Sequence, residues 1–414
     1  MQLKKPFYSL DGIEKNFISL YGEKTSAQKD RYFNAFLRFK SIYGGECAYI
    51  ASSSGRVEVC GNHTDHNGGK VVSCAISLDS LCFFMPREDG KICVTSEGYP
   101  EMTIDLNGTP NEKVGTSPAL IRGVAEGFKN KGFIIGGFNA YITSSVLGGA
   151  GISSSASFEV LIAEILNFLY NDGKISNEDK AKISQFSENV YFGKPSGLLD
   201  QTAIAFGGLK LLDFSSKESI KVKNINDNLA DYTLVLINTG GSHADLTDHY
   251  ASIPQEMKSV AKIFGKERLV EVDKDEFYKF DLTKLGVVSD RAILRAIHFF
   301  EENDRVDGLY NALADKDYQG FIDAINQSGA SSLYKLQNCY VPESDEQPIP
   351  KSLAIARNFE GCLANRVHGG GFAGTILNIV KNAEIDQFLD KANSVFGKLN
   401  VIPLKVRSVG TIVL

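Results

Sequence analysis

Between Phe138 and Leu169 the sequence sets an alternating apolar stretch, a glycine-rich turn and a helical stretch in direct succession. Phe138, Ala140 and Ile142 alternate with Asn139, Tyr141 and Thr143, the period-two pattern of a half-buried strand. Leu147-Gly-Gly-Ala-Gly-Ile-Ser-Ser-Ser-Ala-Ser-Phe-Glu-Val160 follows. Gly148, Gly149 and Gly151 let the backbone turn tightly and approach a ligand without a Cβ in the way. Ser153, Ser154 and Ser155 supply hydroxyls and N-cap candidates. Beyond them Phe158, Leu161, Ile162, Ile165, Leu166 and Leu169 recur at helical spacing. Strand, glycine turn and helix N-terminus make an anion cradle, because free N–H groups and the helix dipole converge on one spot. The segment is expected to hold the phosphates of a nucleotide. Taken alone, it also reads as an ordinary Ser-rich helix start.

At 414 residues the chain is long for one core, which favours two domains, 1–212 and 213–414. Hydrophobic content of 43% and charged content of 23% are those of a soluble globular protein. A net charge of −6 and a pI near 5.7 argue against nucleic acid held on a basic surface. The first residues lack the apolar core of a signal peptide, and no uncharged apolar run spans a bilayer, so no membrane partner is expected. Cys47, Cys60, Cys74, Cys82, Cys93, Cys339 and Cys362 are scattered, with no Cys-x-x-Cys pair. They read as reduced, mostly buried thiols of a cytoplasmic protein rather than a disulfide framework or a zinc site.

Along the chain, residues 8–45 read as polar and helical, and short β-like runs follow at 47–51, 57–60, 71–76, 81–85 and 92–95. Helical patterns return at 118–130 and, after the glycine loop, at 178–191 and 198–206. A strand at 209–214 and the polar run 215–228 mark the domain boundary. The second half begins with the apolar strand 234–237, is mostly helical in the middle, and closes with a glycine turn entering a strand at 369–380. A helix near 384–396 and a strand at 409–414 complete an α+β domain.

Four polar clusters carry possible chemistry. Ser54 to Gly69 is too dense in Asn, His, Asp and Gly for a core strand and suits recognition of a polyhydroxylated ligand. Within it His63 and His66 lack a nearby third metal ligand, which favours hydrogen-bonding roles. In Gly193-Lys-Pro-Ser-Gly-Leu-Leu-Asp-Gln201, Asp200 stands beside a glycine turn in an apolar setting, as a general base or as a capping or ion-paired residue. Glu188, on a helix, is a candidate magnesium ligand. The segment from Asn238 to Tyr250 follows a strand, where sites usually sit. Gly369 to Gly374 suggests close backbone approach to a ligand or simply a turn. No Walker-A loop, dinucleotide fingerprint, protein-kinase loop set or Gly-x-Ser-x-Gly elbow is present.

Taken in order, Gly55 to Gly69, Gly148 to Ala156, Gly197-Leu-Leu-Asp-Gln201 and His368 to Gly374 resemble the motifs of the galactokinases, in the GHMP small-molecule kinase superfamily. The resemblance runs from about residue 48 to the end of the sequence. It implies an α+β fold of two domains, an N-terminal ribosomal-protein-S5-like α/β domain and a C-terminal ferredoxin-like α+β domain, with the active site in the cleft. It implies an ATP-dependent, Mg2+-requiring sugar 1-kinase acting on a small sugar, D-galactose first, as a monomer or weak homo-oligomer. By position, Asp200 would accept or orient the proton of the anomeric hydroxyl. Arg56 would keep Asp200 ionised and stabilise the transferring phosphoryl. Ser155 and Glu188 would bind magnesium, while Gly148, Gly149, Gly151, Ser153, Ser154 and Ser155 would surround the triphosphate. Asn62, His63, Asp65, Gly197 and Tyr250 would contact the sugar. The family usually has Pro where Ser54 stands, Glu where Asn62 stands and Tyr where His66 stands. At position 62 an acceptor-only carboxylate thus becomes an amide that also donates.

Two rivals stand beside this reading. One is the same chemistry on another sugar, such as N-acetylgalactosamine or L-arabinose. The other is a catalytically silent relative that binds sugar and ATP as a sensor. A GHMP kinase of an isoprenoid or amino-acid alcohol suits the hydroxyl-seeking loop at 62–65 less well.

Overall fold

The computed structural model describes residues 12–22, 26–45, 48–146, 148–149, 151–226, 229–240, 246–281 and 288–414. In chain order, helices α1 (Phe17–Tyr21) and α2 (Ser26–Tyr43) precede strands β1 (Tyr49–Cys60), β2 (Lys70–Arg87), β3 (Lys91–Ser96) and β4 (Met102–Asp105). Helix α3 (Ser117–Asn130), strand β5 (Gly137–Ser144) and helices α4 (Ser154–Tyr170), α5 (Asn177–Phe186) and α6 (Leu199–Phe206) follow. Strands β6 (Leu209–Asp213), β7 (Lys221–Asn224) and β8 (Tyr232–Asn238) lead into α7 (Thr247–Ile263), α8 (Lys274–Lys279), α9 (Asp290–Ala314), α10 (Tyr318–Ser331) and α11 (Pro348–Ala356). Strands β9 (Cys362–His368) and β10 (Thr375–Lys381), helix α12 (Ile385–Phe396) and strands β11 (Val401–Leu404) and β12 (Ile412–Val413) complete the order. Among the described residues no helix is long and apolar enough to cross a membrane.

The strands form two sheets. The first has the order β12-β1-β2-β5-β3-β4, with the β6–β7 hairpin joined to the outer part of β2, and β3–β5 is its parallel pair. The second is antiparallel, in the order β11-β8-β10-β9. On β5 the expected alternation holds for Phe138, Ala140 and Ile142, which face a core under α3 and α4. Tyr141 is buried as well, because α1 and α2 cover the opposite face. The polar helix α2 does this with Tyr32, Ala35 and Phe39, one stripe at helical spacing packed over Leu81 and Phe83. Expectations at residues 8–11 and 23–25, and for Cys47, lie outside the described residues.

A second core joins the two sheets. Val57, Val59, Val72 and Cys74 of the first sheet meet Leu234, Leu236, Leu377 and Ile379 of the second, with Leu309, Leu313, Phe321 and Ile325 of α9 and α10. Each large apolar side chain fully buried there contributes roughly 1.5–3 kcal/mol, so the halves are fastened as one body. The expected division at 212/213 falls within β6, and β7 stays in the first sheet. The terminal strand, expected to finish the second domain, pairs instead with β1 through Ala51↔Val413 and Ser52↔Ile412.

Candidate active site

The expectation that Ser54 to Gly69 is all loop is half corrected. Strand β1 continues to Cys60, and only residues 61–69 leave the sheet. The polar residues fit a buried strand because they alternate. Val57 and Val59 enter the apolar core, so Arg56 and Glu58 share the other face. Register shifts after Ser54 and after Glu58 free backbone groups from the ladder. One is taken by the glycine loop, where Arg56 N–H donates to Ile152 O at 3.2 Å. The other is taken by the second sheet, where Glu58 N–H donates to Nε2 of His368 at 3.1 Å. His368 is therefore neutral with its proton on Nδ1, facing Thr375 Oγ1 at 3.1 Å. Burial, then Arg56 and Arg366, hold its pKa well below the usual imidazole range.

In the glycine loop, Gly149 (φ 79°) and Gly151 (φ 70°) adopt the left-handed conformation. A Cβ on Gly151 would lie 2.6 Å from Thr375 Oγ1, so the loop is seated directly on β10. Leu147 and Ala150 lie outside the described residues. Ser154 and Ser155 open α4, and Ser153 is the N-cap by position. Its hydroxyl makes no capping bond. It donates instead to Asp200 Oδ2 at 2.5 Å.

Asp200 lies in the first turn of α6, where a helix favours a carboxylate. Its Oδ1 accepts from Arg56 Nε at 2.8 Å, and Arg56 Nη1 donates to Gly151 O at 2.6 Å. Burial alone would raise the Asp200 pKa, but the Arg56 guanidinium, the Ser153 hydroxyl and Lys194 hold it below the ordinary carboxylate range. Arg56, Asp200, Gly151 and Ser153 thus form one hydrogen-bonded unit.

Ser155 and Glu188 are also brought together, with Ser155 Oγ donating to Glu188 Oε1 at 2.9 Å. A π-helical turn, Ser187–Phe192, carries Glu188 into the interior. Lys194 Nζ, Ser196 Oγ and Gln201 Nε2 donate to the same carboxylate. Glu159, buried beside it, has its pKa pushed well up by burial and then by Glu188. Glu159 Oε1 and Gln201 Oε1 are buried without hydrogen bonds. A hydroxyl, a carboxylate and two unsatisfied oxygens are a donor set that fits a hard, hydrated divalent cation. Among the described residues no group of three His, Cys, Asp or Glu side chains could hold a metal.

Of the residues expected at the sugar, Asp65 and Gly197 are interlocked: a Cβ on Gly197 would lie 1.8 Å from Asp65 Oδ2. Leu199 N–H donates to the same oxygen at 3.4 Å, which sets Asp65 at the start of the helix bearing Asp200. His63 (φ 57°) donates from Nε2 to Gly370 O at 2.9 Å. Burial, then His66, pushes its pKa down to about 3, so it stays neutral. Tyr250 donates from its hydroxyl to Gly371 O at 2.8 Å, and its ring fills the space a Cβ on Gly370 would need. Residues 241–245 of the Asn238–Tyr250 segment lie outside the described residues. The glycines at 369–371 therefore serve close approach between protein segments.

Asn62 is the remaining residue expected at the sugar. It is fully buried, and Nδ2 donates to Glu58 Oε1 at 2.9 Å and to Gly369 O at 2.8 Å. Its Oδ1 accepts from Asn338 Nδ2 at 2.8 Å and Ser332 Oγ at 3.3 Å. With both protons and both lone pairs taken by protein, the amide bolts the 61–69 loop to the glycine turn at 369–371.

Sequence reasoning missed the groups beneath that loop. Glu302 of α9 is fully buried and accepts from Gly61 N–H at 2.9 Å, Asn62 N–H at 3.4 Å and Ser328 Oγ at 2.5 Å. Arg366 of β9 donates to Val59 O at 3.0 Å and Glu58 Oε1 at 2.8 Å. His298 bonds Asn62 O at 2.9 Å. A charged residue inside an otherwise ordinary amphipathic pattern was the one available signal, and it is a weak one.

Known proteins resemble this chain in sequence and in fold. The galactokinase galactose-binding signature matches residues 37–86, and the GHMP kinases N terminal domain matches residues 119–208. A galactokinase of Limosilactobacillus reuteri is 31% identical over 357 residues, covering 83% of this chain and 88% of that protein. One from Clostridium tetani is 29% identical over 366 residues, covering 87% and 91%. The crystal structure of Lactococcus lactis galactokinase complexed with galactose superposes with a TM-score of 0.81 at 24% identity, covering 92% of this chain and all of that one. Mevalonate kinase of Methanococcus jannaschii shares the fold at a TM-score of 0.60 and 17% identity, covering 86% and 98%. The chain belongs to the galactokinase family of GHMP kinases.

Proposed function

We propose that the chain transfers the γ-phosphoryl group of ATP to the anomeric hydroxyl of D-galactose, giving galactose 1-phosphate and ADP. The observation that carries this is the Arg56–Asp200 pair, wired on one side to the glycine loop and bordered on the other by Asp65 and Gly197. Phosphoryl transfer demands little covalent help from a protein and much positioning and charge stabilisation. Asp200, ionised, accepts the hydrogen bond of the attacking hydroxyl and fixes its oxygen in line with the γ-phosphorus. The new O–P bond forms as the bond to the β,γ-bridging oxygen breaks, and the hydroxyl proton passes to Asp200 late in that motion. A base of low pKa suits a late transfer, because the hydroxyl becomes acidic only as bonding to phosphorus advances. Arg56 balances the negative charge of the equatorial oxygens and of Asp200.

The backbone from Gly148 to Ser155, with the N-terminus of α4, would cradle the triphosphate. Ser155 and Glu188 would hold Mg2+, which would neutralise phosphate charge during transfer. Lys194, at 3.1 Å from Glu188, would compete with the metal for that carboxylate. Asp65, the Gly197 turn, His63 and Tyr250 would border the sugar. Purified protein with ATP, Mg2+ and a panel of free sugars, read by phosphorus NMR, tests the assignment. Galactose 1-phosphate is the expected product. Turnover of another sugar with none on galactose would overturn the specificity, and no turnover on any sugar would overturn the reaction.

A further inference from the structure

Resting on that reading, we propose that the Ser153 side chain acts on the acceptor side of the reaction, as a positioning group that fixes the second oxygen of Asp200, and leaves the triphosphate cradle to the main chain. A serine opening a helix ordinarily takes extended backbone angles and turns its hydroxyl onto the N–H groups of the first turn. Ser153 does neither. Its φ of 63° and ψ of 58° are left-handed, a conformation unfavourable for a residue with a Cβ, and it forms no side-chain cap. The hydroxyl this strain aims is the one 2.5 Å from Asp200 Oδ2.

The residues just before it explain how the strain is kept. Arg56 grips the carbonyls of both Gly151 and Ile152, through Nη1 and its own backbone N–H. The same arginine uses Nε to hold Asp200 Oδ1. Asp200 is thereby clamped at both oxygens, by Arg56 on one and by Ser153 on the other, and the carboxylate plane cannot rotate without breaking a bond. Two residues further on, Ser155 turns the other way, to Glu188. The serines of one short run thus serve different ends of the site, Ser155 the cation end and Ser153 the attacking-hydroxyl end.

Glycine at 153 separates this role from a structural one, because it accepts the left-handed angles freely while removing the hydroxyl. For Ser153→Gly we expect a melting temperature unchanged or raised by about 1–2 °C, with kcat on galactose lowered about ten- to a hundred-fold and the KM for ATP unchanged. Ser153→Ala, which loses the hydroxyl but keeps the strain, should lose kcat equally and melt no higher than the parent. A glycine variant with kcat within twofold of the parent would overturn the proposal. So would an effect confined to the KM for ATP, or a glycine variant that melts lower than the parent. A parent enzyme that turns over no sugar would instead bring down the kinase reading itself, and the proposal with it.

Discussion

The glycine loop at 148–153 and the sugar loop at 61–69 are both short glycine-bearing connections at the end of a strand of the first sheet, and they are held in place differently. The glycine loop is shaped mainly from within. Gly149 and Gly151 supply its left-handed angles, Arg56 and Asp200 of the same half fasten it, and the other half meets it at Gly151 through Thr375. The sugar loop is shaped from below by the other half of the molecule. Glu302, His298 and Asn338 hold its backbone and its Asn62 amide from positions up to 276 residues away in sequence, and Arg366 holds the end of β1 that leads into it. The contrast assigns different vulnerabilities: the nucleotide end should fail through local backbone changes, and the sugar end through loss of buried charge.

The largest effect expected is at the junction of the two regions. Asp200→Ala should lower kcat about 10²–10⁴-fold while leaving ATP affinity, read by calorimetry, within a few-fold of the parent. A near-normal rate would remove Asp200 from its role. Next comes Glu302→Ala. Removing one member of a fully buried ionic cluster costs roughly 3–5 kcal/mol, and denaturant unfolding should report it. The surviving fold should lose affinity for sugar far more than for ATP; equal losses would erase the contrast between the loops.

The same carboxylate predicts an acid limb. Burial opposes ionisation of Glu302, but His298, Arg305, Arg366 and the Ser328 hydroxyl bring its pKa down to about 2 from an ordinary 4.5. A depressed pKa contributes stability that is complete above the unfolded value and disappears as pH falls through the folded one. Unfolding free energy should therefore drop between pH 4.5 and about 2, and Glu302→Gln should flatten that slope. An unaltered slope would assign acid unfolding to other groups. Smaller still is Gly151→Ala, which should cost about 1–3 kcal/mol through its left-handed φ and its contact with Thr375. Here ATP affinity should fall more than sugar affinity, the reverse of the Glu302 result.

The same division governs what the sequence reveals. Glycines needed for positive φ, and a serine run opening an apolar helix, are local requirements, so the glycine loop and α4 are visible in a window of residues. The order of motifs brought Arg56, Asp200, Ser155 and Glu188 forward, and the fold sets them within hydrogen-bonding reach in two pairs. The burial of Asn62 was not legible, because an amide looks the same whether it faces a ligand or four protein partners. Nor was the continuation of β1 through Arg56 and Glu58. Polar residues argue against a core strand until the long-range partners that satisfy them, such as Arg366 and His368, are known.

The return of β12 to the first sheet has a consequence for synthesis on the ribosome. Arg407 donates to the side chain and carbonyl of Ser52, 355 positions earlier, and lies 3.7 Å from the fully buried Asp79, to which Arg31 also binds. Until residues 407–413 emerge, the edge of β1 lacks its partner strand and Asp79 has one of the two guanidiniums that neighbour it in the folded chain. The nascent first half must therefore wait with an open edge while the second half is translated. Closing so long a loop comes late and slowly. The strand bearing Arg56 is thus completed by a segment made 355 positions later, which ties the setting of the Arg56–Asp200 pair to synthesis of the second half.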